Sequence, residues 1–175
     1  MTPTPGPEDR SPAAAMTRFS GREAFALELR QAMVRATLDG ARELIFSDPD
    51  FLDWPLGSRD VLEQLSAWAG TGRTLTLLAA SYDGLIRWHP RFVAWRVLWD
   101  HIITCRRLGS LREGPENAGV PSVLWQPSCA VERQRLGECV GVVTADRHRL
   151  LALHQRLTEA LKVGAPAFPA SVTGL

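Results

Sequence analysis

Ile45-Phe46-Ser47-Asp48-Pro49-Asp50-Phe51-Leu52-Asp53-Trp54-Pro55-Leu56 is the stretch whose reading decides the fold. A short apolar strand, beginning near Ala41, runs into three carboxylates, two prolines and a tryptophan. In open α/β sheets, ligands sit beyond the carboxyl ends of strands, so acids placed there are the first candidates for function.

The flanking sequence repeats the pattern. Ser20-Gly21-Arg22-Glu23 has the spacing of a capping box, which predicts a helix to about Asp39 with Phe25, Leu29, Met33 and Ala36 buried. Ser58 opens a second helix that Gly70-Thr71-Gly72 ends, and Thr74 to Ala80 forms a second strand, apolar on both faces. Pro90 starts a helix through about Asp100, followed by a strand at Ile102 to Cys105. Val123 to Trp125 and Val140 to Val143 are further strands, and Asp146 caps a last helix carrying Leu150, Leu153, Leu157 and Leu161. Pro127 to Gly137 is too polar to assign, and the Gly- and Pro-rich segment Gly109 to Pro121 reads as a mobile loop. The alternation implies an α/β domain with a mixed, mainly parallel sheet flanked by helices. It spans residues 19–162, with a disordered tail at 1–18 and a flexible one at 163–175.

Composition narrows the function classes. Net charge is +1, from 20 basic and 19 acidic side chains, so no global field favours nucleic acid or anionic lipid. Lys162 is the only lysine, which leaves lysine chemistry a single position. Cys105, Cys129 and Cys139 form no CxxC pair and read as buried thiols in a reducing compartment. No secretory leader and no membrane span is expected, and the chain is expected in the cytoplasm.

The order of elements, with "FSDPDFLDWPL", "TLTLLAAS", "RFVAWRVLWDHIITC" and "VGVVT", resembles one half of a phospholipase D-like fold, in the manner of its degenerate bacterial relatives. That resemblance implies a homodimer, because each half pairs with another about a twofold axis. Catalytic members carry His-x-Lys, where histidine attacks phosphorus and lysine stabilises the phosphoryl oxygens. His89, His101, His148 and His154 each lack lysine two residues on. No catalytic residue carries over, and a non-catalytic domain acting by binding or dimerisation is the expectation.

The candidate binding residues are Asp48, Asp50, Asp53 and Trp54 at the strand end, with Arg106 and Arg107. Two alternatives stay open. Asp48-Pro49-Asp50 loosely resembles the first motif of haloacid dehalogenase-like phosphatases, where magnesium assists an aspartyl nucleophile. That motif's downstream lysine and acidic pair are absent, and a stiff turn with aspartates bonded to backbone amides fits as well. The second alternative is nucleic-acid binding through an arginine patch that includes Arg112, Arg133, Arg135, Arg147, Arg149 and Arg156. The even charge balance sets it aside, so nucleic acid is not expected as a partner. A small phosphorylated ligand or a protein is the expected partner, with no cofactor and no resident metal.

Overall fold

The computed structural model describes residues 16–109 and 119–169. Of the expected tail at 1–18, residues 1–15 lie outside them, as do most of the Gly109 to Pro121 loop, Arg112 and the last six residues, whereas Thr17 and Arg18 belong to a strand. An eight-stranded sheet carries helices on both faces, so the α/β class expected from the sequence holds. In chain order the elements are β1 (Thr17–Ser20), α1 (Arg22–Leu38), β2 (Glu43–Ser47), α2 (Arg59–Trp68), β3 (Thr74–Ala79), α3 (Asp83–Trp88) and α4 (Pro90–Leu98). After a 3-10 turn at Asp100–Ile102 come β4 (Ile103–Arg107), β5 (Ser122–Trp125), β6 (Ala130–Arg135), β7 (Val140–Thr144), α5 (Arg147–Val163) and β8 (Ala165–Pro166).

The strands lie in the order β1-β7-β6-β5-β2-β3-β4-β8. Only β2–β3 and β3–β4 pair in parallel. The other five ladders are antiparallel, which corrects the expected parallel majority. The two helical crossovers force the parallel pairs, whereas β5, β6 and β7 are joined by short turns that permit only antiparallel neighbours.

Alternation along β2 divides the core. Leu44 and Phe46 join a large cluster beneath α1, α2 and α4 that includes Phe25, Leu29, Leu65, Trp68 and Phe92. Ile45 points the other way, to Val123, Trp125, Leu150, Leu153 and Leu157 under α5. Asp146 caps α5 as predicted, its carboxylate accepting from the Arg149 amide at 2.9 Å.

Two local expectations differ from the structure. Ser20 does not cap α1; it ends β1 opposite Val140, and Gly21 turns the chain at φ 96° without a side-chain cap. The segment left unassigned holds β6. Its polarity hid it because Arg133 points inward with Val131 and is buried.

Gly141 is fixed by close approach rather than by its φ. It pairs with Phe19 on one side and Arg133 on the other. A Cβ there would lie 2.5 Å from the Phe19 ring and 2.9 Å from the Arg133 Cα. We predict that Gly141→Ala lowers unfolding free energy by about 1–3 kcal/mol through overpacking. Urea denaturation checks this, with an unchanged midpoint as the contrary result.

Candidate functional site

Ser47 and Asp48 emerge from β2 at the edge of the sheet where β5 begins and β6 ends. The Asp48 side chain is completely buried and receives five donors. One carboxylate oxygen accepts from the amides of Asp50 (3.2 Å) and Phe51 (2.9 Å). The other accepts from Trp54 Nε1 (2.9 Å), Ser122 Oγ (2.5 Å) and the Arg133 guanidinium (2.9 Å). An ionised carboxylate has about four lone-pair positions, so no face of Asp48 is left for a substrate.

Arg133 is the hub. Besides Asp48, its guanidinium donates to Asp53 at 2.6 Å, Ser122 Oγ at 3.1 Å and Cys139 Sγ at 3.4 Å. It also lies 4.8 Å from the centre of the Phe25 ring. Burial alone would lower its pKa. The charge of Asp48, with the Cys139 and Asp53 hydrogen bonds, outweighs burial, and the net shift is upward. Ser122 and Arg133 are cross-strand partners in the β5–β6 ladder, which is why the serine hydroxyl lies between arginine and carboxylate. Asp53 is more exposed and carries a second arginine, Arg22 of α1, at 2.7 Å.

The loop between Asp48 and Trp54 is wound around this pair. Phe51 sits at φ 59°, a left-handed conformation costing a bulky residue on the order of 1–3 kcal/mol. Its amide is held by Asp48, its carbonyl lies 2.9 Å from His89 Nε2, and its fully buried ring meets Trp54 edge-on at 5.1 Å. Trp54 is likewise buried, against Phe46 and Phe25. Asp50 is half-buried, and its carboxylate accepts from the Leu52 amide at 3.0 Å.

The structure therefore brings Asp48, Asp53 and Trp54 together around Arg133 and leaves the other candidates apart. Arg106 and Arg107 lie on β4, separated from β2 by β3. Arg106 donates to the Leu161 carbonyl at 3.3 Å, and Arg107 is exposed. Ser122 escaped sequence reasoning altogether, and Arg133 was read as surface. The available signal was period-2 alternation: Arg133 is two residues from the fully buried Val131 and shares its face.

Among the described residues, no group of three or more His, Cys, Asp or Glu side chains is arranged to hold a metal ion. No helix among them is long and apolar enough to cross a membrane. Burial pushes the Cys105 and Cys129 thiols up, consistent with inert packed thiols.

No family model and no curated protein matches the chain. Two of the solved structures that match the chain show its fold. One is TrmBL2, described as an archaeal chromatin protein with a novel mode of DNA binding. It superposes with a TM-score of 0.59 at 12% identity over 89% of this chain and 56% of TrmBL2. The chain thus spans little more than half of that protein. The other is NucT from Helicobacter pylori, with a TM-score of 0.53 at 12% identity over 87% of this chain and 99% of NucT. At this identity the likeness concerns the fold alone.

TrmBL2 also corrects one expectation. The exclusion of nucleic acid rested on whole-chain charge, and a fold neighbour of known DNA binding overturns it. Net charge averages over the molecule, whereas α5 segregates it. That helix carries Arg147, Arg149, Arg156 and Lys162 against one acid, Glu159.

Donor deletion separates a structural role for Asp48 from a chemical one. Trp54→Phe and Ser122→Ala each remove one donor from a buried carboxylate and are expected to cost about 1–3 kcal/mol in urea unfolding. A loss below the error of the measurement in both variants would show that the carboxylate does not depend on them.

Proposed function

We propose that the chain is a non-catalytic binding domain of phospholipase D-like fold, and that α5 presents the surface that meets a nucleic-acid backbone. The observation that carries this reading is the separation of charge. Arg133 takes up Asp48 and Asp53 internally, while Arg147, Arg156 and Lys162 of α5 are exposed and Arg149 is half-buried; Glu132 pairs with Arg149 at 3.0 Å and Arg156 at 3.7 Å, and Glu159 with Lys162 at 2.8 Å. Phosphate contacts by such side chains supply sequence-independent affinity.

Several facts favour binding over turnover. No histidine has a lysine two residues on, and the only lysine lies at the end of α5. Asp48 and Asp50, the pair a magnesium-dependent phosphatase would use, bond to the backbone of their own loop. The homodimer implied by the resemblance belongs to this proposal.

A fluorescence anisotropy titration with a short labelled DNA duplex tests the proposal across roughly 50–200 mM salt. Binding is expected to weaken linearly on a log–log plot. Changing Arg149, Arg156 and Lys162 together to Gln should reduce the slope by about 2–3. No binding at low salt, or an unchanged slope, contradicts it. Light scattering on the same samples is expected to give a dimer mass, and a single-chain mass removes that part.

A further inference from the structure

A second feature lies at the opposite edge of the sheet, away from Asp48. The start of β2, the β5–β6 turn and the first turns of α5 line an open cavity of about 510 Å³. That volume falls among small-molecule sites, which are mostly apolar with a few placed polar groups. Trp125 and Leu150 line it, with Pro127 and the 53%-exposed Leu151.

The lining is held in place by bonds that involve no ligand. Trp125 Nε1 donates to the Leu150 carbonyl at 2.9 Å, which fixes the indole plane. The His154 ring lies 4.4 Å from the indole, and its Nε2 is 3.3 Å from the Glu43 carboxylate. Ser128 Oγ donates to Asp39 at 2.8 Å. Glu43 thus already faces a histidine. Arg147 is the charge left over: it is exposed, lines the cavity and has no carboxylate within ion-pair distance among the described residues. Asp146 takes the Arg149 amide in the first turn of α5, and the Arg147 side chain is the charged group that lines the cavity there.

We propose that this cavity binds a small molecule with a flat apolar body and one anionic group, of the aromatic carboxylate class. The body lies against Trp125, Leu150 and Leu151, and the anion meets the Arg147 guanidinium. Charge complementarity sets the sign, because an amine would have to displace His154 from Glu43 while standing near an unpaired arginine. The inference goes beyond the nucleic-acid reading and does not depend on it: the anisotropy variants leave Arg147 and Leu151 intact.

The test is an NMR titration of the uniformly ¹⁵N-labelled full chain with 2-naphthoate and, separately, 2-naphthylmethylamine. The indole N–H of Trp125, assigned with Trp125→Phe, is the reporter, and that of Trp54 is the control. Saturable shifts at Trp125 with naphthoate and none at Trp54 are expected. Arg147→Gln should weaken naphthoate about tenfold or more, as loss of a charged hydrogen bond does. Leu151→Glu should do the same by placing a like charge in the cavity, and its exposed position lets the spectrum itself verify folding. No saturable shift at Trp125 overturns the proposal. So do shifts indifferent to both variants, or an amine that binds as well as naphthoate.

Discussion

The buried ion pair between Asp48 and Arg133 is the constraint on which the strand-end side of the molecule depends. Its two members come from distant parts of the chain, the end of β2 and the end of β6, and both are almost wholly removed from water. Through Ser122 the pair fixes β5, through Asp53 and Arg22 it reaches α1, and through Trp54 and Phe51 it sets the loop leaving β2. Burying two charges carries a desolvation cost of several kcal/mol per ion, which attraction offsets only when the remaining polar positions are filled. Here they are filled, by two amides, an indole, a hydroxyl and a second carboxylate. Such a network specifies one arrangement strongly, because any partial loss leaves a buried charge uncompensated.

This arrangement explains which parts of the fold could be read from sequence. Helices with regular apolar spacing, such as α2 and α5, and strands with apolar runs, such as β2 and β3, were evident because burial alone selects their residues. β6 was not, since an inward-facing arginine breaks the apolar pattern that burial normally produces. The capping box at Ser20 was a correct local signal overridden by strand pairing: β1 takes Ser20, and Gly21 takes the turn. The sheet's antiparallel majority followed from β6, whose presence converts the second half of the chain into a meander.

The position of the strand-end cluster was legible in the sequence, and its arginine partner was not. Two of the three aspartates, Asp48 and Asp53, do converge with Trp54, yet around an arginine that lay in the unassigned segment. Sequence distance, not chemistry, concealed that partner: β6 contributes Arg133 from 85 residues beyond Asp48. The same averaging affected the charge argument. A near-neutral total conceals an α5 that carries four Lys or Arg side chains against one acid. The cavity beside Trp125 had no sequence signature, because its lining comes from β2, the β5–β6 turn and α5 together.

A double-mutant cycle on Asp48→Asn and Arg133→Gln, read by urea unfolding, tests the central claim most directly. Each single variant strands a buried group and is expected to cost about 3–5 kcal/mol. The double variant should cost clearly less than their sum, with a coupling on the order of 1–3 kcal/mol. Additive losses, or an Asp48→Asn variant as stable as the parent, would contradict the account and return Asp48 to the list of residues kept for chemistry.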